Sequence, residues 1–440
     1  MKKKYIVYLG IIFFIYCFWA YVQPYDYAPD EYMRYKPILY IYKNGSLPLP
    51  YSKEVVVKYF NASYAYYATF LPTICSALFM KVMSFFSVSE RNLIFAARFP
   101  NIVAGVIFVY FVIKIYDELL KNKKIKILGI LLASLMPEFI FLTSYINNDM
   151  MAIMSSGIIV YSWVKMIKYN INLKNSLLLS LGIIVCALSY YNAYGYILCS
   201  IFIFIFMCIS KKNSVIKFDL KKFIKYGTLI SSIVLVFISY FFLRNFIINK
   251  GDLLGIQSFL NACEKSQFLD IRPSLRKTPQ NMGISIFQLL FTNKYNGGYW
   301  FLTSYISFIG KFGYLQFPLP IIVYILYFVY IIFGIIGYFI NVKNYKKSNR
   351  KMFLHVCLFL CMIIPFFLSI KYSYSVDYQP QGRYLFPSYI AFLIFIALGY
   401  DNIYSKITNN KLKNVVVNLC YCFIIVSFVI SNFVYFNSFS

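Results

Sequence analysis

Histidine is almost missing from this chain: one residue, His355, in 440. A zinc site built on histidines, or a Ser-His-Asp triad, needs a histidine at the site, and His355 lies at the lysine-rich end of an apolar run. Acid is scarce as well, with 15 Asp and Glu against 43 Lys and Arg. Any gathering of carboxylates therefore needs a reason. The ten cysteines have no metal-type spacing. Pairs such as Cys357/Cys361 and Cys420/Cys422 fall in apolar runs, where a free thiol packs as a small apolar group. No internal repeat or low-complexity linker is visible, so no second domain is read and residues 1–440 form one unit. The first apolar run is followed by no small-x-small cleavage site, so residues 1–22 are read as an uncleaved span.

What is present in excess is apolar. Hydrophobic residues make up 60% of the chain, with a mean hydropathy of +0.66, far outside the range of soluble domains. Apolar runs long enough to cross a membrane as helix recur near 5–22, 95–116, 127–145, 150–167, 176–191, 194–210, 226–243, 318–340, 352–370, 385–400 and 415–436. The sequence predicts an all-α, polytopic membrane protein of about 11 transmembrane helices. Residues 63–87 are read instead as helices lying at the outer surface.

A net charge of +28 would suit nucleic acid, but its placement does not. With Lys2-Lys3-Lys4 inside, alternate loops carry the lysine clusters at 121–126, 165–174, 211–225, 343–351 and 406–413. That side holds 25 Lys and Arg against four acids, and the other holds 18 against ten, with Glu138 inside a span. The positive-inside rule then predicts a cytoplasmic N-terminus. Three polar loops fall outside, at 24–94, 244–317 and 371–384, and the second carries Cys263.

Polar residues gather at five points on that outer side. Pro29-Asp30-Glu31 can start a helix that Asn44-Gly45 stops, yet helix capping uses one acid, and three stand at this edge, Asp26, Asp30 and Glu31, with Arg34 and Lys36 beside them. "SYINNDMMA" (144–152) holds Asp149, where Asn147, Asn148 or Asp149 can cap the next helix. Glu138, inside the preceding span, must be paired, protonated or wet, since a buried charge there costs about 3 kcal/mol. The remaining points are Arg244 with Asp252, Lys311 between Gly310 and Gly313, and Gln381 with Arg383. Each cation alone can snorkel to the headgroups. Together they have the makeup of a site for a membrane-borne phosphate: cations for the phosphate, a carboxylate for a proton.

These stretches resemble the GT-C superfamily of integral-membrane glycosyltransferases, closest to a bacterial branch of predicted membrane proteins of unknown function. Pro29-Asp30-Glu31 is similar to its first-loop element, "AARFPNIVAG" (96–105) to the start of its second span, and "YINNDMMA" to its second acidic element. "RNFIINKGDLLG", "GKFGYLQFPLP" and "QGRYLFP" resemble its later landmarks. The likeness runs to about residue 390. One departure is Arg34, where the branch often has histidine.

The resemblance implies a sugar donor on a polyprenyl phosphate and an acceptor that is a cell-envelope glycan, lipid or protein. The reaction would run on the outer face of a bacterial plasma membrane. Asp30 or Glu31 would be the catalytic base. Arg383, Lys311 and Arg244 would hold the donor phosphate, with Arg34, Asp149, Asp252 and Gln381 in support. A divalent cation would sit on Asp30 and Asp149. The membrane lipids are the surroundings, and nucleic acid is no partner. A flippase or carrier for lipid-linked saccharides is the alternative, but it needs a polar path through the bilayer, and only Glu138 and Lys114 lie within the spans. A polymerase acting on two lipid-linked substrates shares nearly every feature, whereas a scaffold leaves the five clusters unexplained.

Overall fold

Runs of Ile, Leu, Phe, Tyr and Val with few charges fold as helix because a bilayer leaves the backbone no other partner for its N–H and C=O groups. The computed structural model describes residues 3–212, 215–295, 297–342 and 348–439. Of the lysines in the charge argument, Lys2, Lys343, Lys346 and Lys347 lie outside the described residues.

In chain order the helices are α1 (Lys3–Val22), α2 (Glu31–Asn44), α3 (Leu71–Met83), α4 (Glu90–Leu119), α5 (Lys123–Leu135) and α6 (Pro137–Ser144). Then come α7 (Asp149–Tyr169), α8 (Leu173–Ala187), α9 (Gly195–Cys208), α10 (Leu220–Ile248), α11 (Ile256–Glu264) and α12 (Ile286–Phe291). The last are α13 (Trp300–Gly310), α14 (Ile321–Ile340), α15 (Asn349–Ser375), α16 (Tyr389–Lys406) and α17 (Asn410–Asn437). Two small antiparallel hairpins interrupt them, β1 (Ile209–Lys212) with β2 (Val215–Phe218), and β3 (Lys311–Phe312) with β4 (Phe317–Pro318).

Among the described residues nine helices are long and apolar enough to cross a membrane, and α5 with α6 makes a tenth, bent by 46°. The bend has a local cause. Pro137 lacks the N–H that would continue the ladder and keeps Met136 extended, at ψ 125°. The run expected at 176–191 is α8, only 15 residues long and ending at Ala187, so that span is shorter than read. The 63–87 stretch yields a 3-10 turn at Tyr64–Tyr66 and the 13-residue α3, too short to cross at about 1.5 Å per residue. One apolar helix was not foreseen: α13, inside the loop read as 244–317.

The core lies where α1, α4, α6, α7, α16 and α17 meet, around Tyr16, Trp19, Phe108, Phe139, Tyr389 and Tyr435. Trp19 stacks on Tyr435 with ring centroids 3.8 Å apart. By contrast α10 leaves Leu235, Val236, Phe237 and Ile247 exposed, the surface of a helix meant for lipid rather than water.

Contacts between distant loops sort the bundle into two ends. At one, Lys126 pairs with Asp117 and both Lys165 and Lys168 pair with Glu118, while Arg350 donates to Asn170. All belong to the lysine-rich loops. At the other end Arg383 meets Asp30, Asn148 donates to Ser189 O and the Ile146 N–H donates to Glu31. Cys263 is at that second end but fully buried beside Ala62 and Ile271, and so is no ready target for a thiol reagent.

Candidate active site

The turn before α2 aims two neighbouring acids in different directions. Asp26 and Asp30 both take left-handed backbone, φ 59° and 67°, a conformation that Asp tolerates better than most residues. Asp30 occupies the N-cap position of α2 yet makes no capping hydrogen bond. The far end of α2 is as expected: Gly45, at φ 67°, ends it with its N–H on Ile41 O.

Glu31 points inward. It is fully buried and bridged twice by Arg98, Nε to Oε1 at 2.8 Å and Nη2 to Oε2 at 2.9 Å. The backbone N–H of Ile146 donates to Oε1 and that of Asp26 to Oε2. Each oxygen thus accepts two hydrogen bonds, and no lone pair is left for a substrate proton. Arg98 is equally saturated: its other donors reach Ala20 O, Gln23 O and Pro24 O at 2.7–2.9 Å. The pair ties the end of α1 to α2, α4 and the α6–α7 loop. Glu31 is a brace, which argues against its expected role as a base.

Asp30 points to the mouth. Its Oδ2 accepts from Arg383 Nη2 at 2.6 Å, with the Asp30 side chain 30% exposed and that of Arg383 6%. Tyr64 and Arg34 both lie close enough to Asp30 to act on it. Burial would raise the pKa of this carboxyl, but Arg383 and Arg34 outweigh burial and hold it below its ordinary value. Arg34, in the next turn of α2, lies 4.4 Å over the Tyr64 ring with its Nε buried and unpartnered. Asp149, the first residue of α7, is buried with Oδ1 unpartnered, and its charged neighbours are Arg383, Arg34 and Asp30. The helix cap there comes from Asn147, whose Oδ1 accepts from Met150 N, so Asp149 is free of that duty.

Arg383 reaches the site because Gly382 lets its 3-10 turn (Gly382–Ser388) lie against α13. A Cβ at Gly382 would stand 2.1 Å from Phe308 N. Its own N–H donates to Ser307 Oγ. Arg383 then lines a water-sized cavity of about 10 Å³ with Lys311, Gln381, Glu138, Tyr145 and Pro29. Glu138 accepts the Lys311 backbone N–H at 3.2 Å, and Gln381 Oε1 is buried without a partner. Among the described residues Lys311 forms no ion pair. A larger crevice of about 410 Å³ opens between α1 and α4, lined by Tyr21, Phe95, Glu90 and Arg91, with Arg98 in its wall.

Two expected members stay away. Arg244 donates to Pro48 O and lies over Phe70, packing α10 on the first loop. Asp252 accepts from Gly255 N and Ser258 N, so it shapes the turn into α11. The loops instead contribute Tyr64, Tyr190 and Tyr384, which surround the charged cluster. Their only sequence signal was a tyrosine content too high to single out any of them.

The family model described as a predicted membrane protein, DUF2142, matches residues 36–393. The chain belongs to that family. The matched region begins just past Asp30, Glu31 and Arg34 and takes in Asp149, Lys311 and Arg383. No curated protein matches the DUF2142 chain. Among solved structures it is similar to the archaeal oligosaccharyltransferase AglB of Archaeoglobus fulgidus in complex with an inhibitory peptide and a dolichol-phosphate. The TM-score is 0.59 at 12% identity, over 98% of this chain and 55% of that one. The apo oligosaccharyltransferase of the same organism gives a TM-score of 0.61 at 13% identity over 99% and 56%. Its complex with zinc and sulfate gives 0.55 at 12% over 96% and 52%. This chain therefore spans just over half the length of those neighbours. At such identity the likeness establishes the fold: this is a GT-C-like, multi-pass helical membrane protein.

Proposed function

We propose that this DUF2142 protein is a membrane glycosyltransferase that moves a sugar from a polyprenyl-phosphate donor to a hydroxyl of a cell-envelope glycan, lipid or protein. The carrying observation is the meeting of Asp30 and Arg383, 353 residues apart in sequence, with Lys311 and Asp149 beside them. A GT-C-like fold adds support, since a neighbour of that fold holds a dolichol-phosphate.

The chemistry follows from the residue types. An acceptor hydroxyl is a weak nucleophile until a placed carboxylate takes its proton. Asp30 has that place; Glu31, with all its lone pairs used, does not. As the acceptor oxygen bonds to the anomeric carbon, the bond from that carbon to the phosphate oxygen breaks. The electron pair leaves with the polyprenyl phosphate. Arg383, forked and planar, and Lys311, a point charge, would stabilise that leaving group. Among the described residues no three His, Cys, Asp or Glu side chains could hold a metal ion. Asp30 and Asp149 would supply two carboxylates, a set that suits Mg²⁺ once substrate phosphate joins it, and the cation would neutralise phosphate charge.

The test uses purified protein in liposomes with the polyprenyl-phosphate sugars extracted from the producing cells. Asp30→Asn keeps the size of the side chain and removes the base, so turnover should fall at least ~100-fold while the folded protein is still recovered. Transfer at the wild-type rate would remove Asp30 from the chemistry.

A further inference from the structure

The two buried arginines at this end of the bundle are in opposite states. Arg98 spends all its donors, on Glu31 and three backbone carbonyls. Arg383 does not. Its Nη2 serves Asp30 and Tyr384, its Nη1 reaches Pro29 O at a long 3.4 Å, and its Nε is buried without a partner. A buried guanidinium left short of acceptors is unfavourable unless a ligand supplies them.

The space beside it, about 10 Å³, has room for a water. Both protons of Arg383 Nη2 are taken, by Asp30 and Tyr384, and either forked grip of a guanidinium uses that nitrogen. A phosphate can take the fork of Arg383 only if the guanidinium swings away from Asp30. Asp30, for its part, has Oδ2 occupied by Arg383 at 2.6 Å, so that oxygen cannot receive a substrate proton until the guanidinium leaves.

We propose that Asp30 and the donor phosphate compete for Arg383, so that donor binding frees the base and must precede productive acceptor binding. The inference rests on reading Arg383 as the phosphate clamp. In the resting state the base is sequestered by the group that will later hold the leaving group. The donor phosphate, a diester with one negative charge and two free oxygens, matches the carboxylate in charge and draws the guanidinium off by also engaging Nε, which Asp30 leaves unpartnered. The apparent donor affinity is then lowered by the fraction of protein in which Arg383 is held by Asp30. Removing the Asp30 charge should therefore tighten phosphate binding, the opposite of what loss of an ordinary site residue does.

The probes are undecaprenyl phosphate, which carries no sugar, and inorganic phosphate, each titrated calorimetrically into the full chain in nanodiscs. Arg383→Ala should weaken undecaprenyl phosphate by roughly 10- to 100-fold. Asp30→Asn should tighten it by roughly 3- to 30-fold, and inorganic phosphate, bound more weakly, should shift in the same sense. In the Arg383→Ala background the gain from Asp30→Asn should vanish. Asp30→Ser is measured alongside, so that one misfolded variant does not decide the matter. A gain that survives without Arg383 would be a general charge effect and would overturn the competition. Unchanged or weaker binding by both Asp30 variants, with Arg383→Ala still harmful, would overturn it too and leave the clamp standing. Unchanged affinity in Arg383→Ala would remove the clamp itself, whether the phosphate is lipid-borne or free.

Discussion

At the scale of single residues, the two acids of Pro29-Asp30-Glu31 have parted company. Their adjacency in sequence gave no means of telling base from brace. The difference arises from left-handed backbone at Asp30 and from Arg98, whose partner is 67 residues away. An arginine inside an apolar 30-residue helix was itself a signal, since such a charge must be paired; its partner was not readable. The contrast gives a prediction. Glu31→Gln puts an amide donor opposite Arg98 or a backbone N–H, and breaking one partner of a buried pair typically costs about 3–5 kcal/mol. Thermal unfolding of the purified protein should show Glu31→Gln strongly destabilised and Asp30→Asn less so, because Asp30 is 30% exposed and an amide oxygen there can still accept from Arg383. A Glu31→Gln protein as stable as wild type but inactive would return the base to Glu31.

At the scale of elements, apolar length and charge located nearly all the spans, because a bilayer makes both obligatory. Short pieces escaped. The 11 residues of α13 are too few to stand out, yet they form the surface on which the Gly382–Ser388 turn is seated. Pro137 was visible as a helix breaker, but not that the bend would bring Glu138 to Lys311. Gly382 is where element packing meets the site. Gly382→Ala would force a Cβ to within 2.1 Å of the Phe308 backbone, and overpacking of this kind costs about 1–3 kcal/mol. It should also weaken binding of undecaprenyl phosphate, because Arg383 is the next residue. Gly45→Ala is the control. Nothing lies within 4 Å of its Cβ, so only the left-handed backbone is penalised, by about 1–2 kcal/mol, and phosphate binding should hold. Equal binding by both variants would detach the turn from the site.

At the scale of the whole molecule, the order of charges along the chain foretold two ends, and the contacts respect it. Lysine-rich loops meet one another, and the polar loops converge on Asp30 and Arg383. Which residues converge was only partly legible. Asp149, Lys311, Gln381, Arg34 and Arg383 do; Arg244 is spent on Pro48 O of the first loop and Asp252 on its own turn, a distinction that depends on tertiary placement. The orientation is tested with single new cysteines at exposed lysines. Lys53→Cys, near the site, should react with an impermeant thiol reagent in intact cells, and Lys123→Cys at the opposite end only after the membrane is opened. The reverse pattern would put the site in the cytoplasm and end the envelope reading.

Whether Arg383 grips the phosphate of a lipid-linked donor is read from the dependence of transfer on donor concentration. Sugar transfer is followed against donor concentration for wild type, Arg383→Lys and Arg383→Ala. A lysine keeps the charge and can snorkel, but it cannot fork onto two oxygens. Both variants should lose roughly ten- to a hundred-fold at low donor, about 1.5–3 kcal/mol of charge-assisted hydrogen bonding. A lysine variant whose curve overlies that of wild type would contradict it.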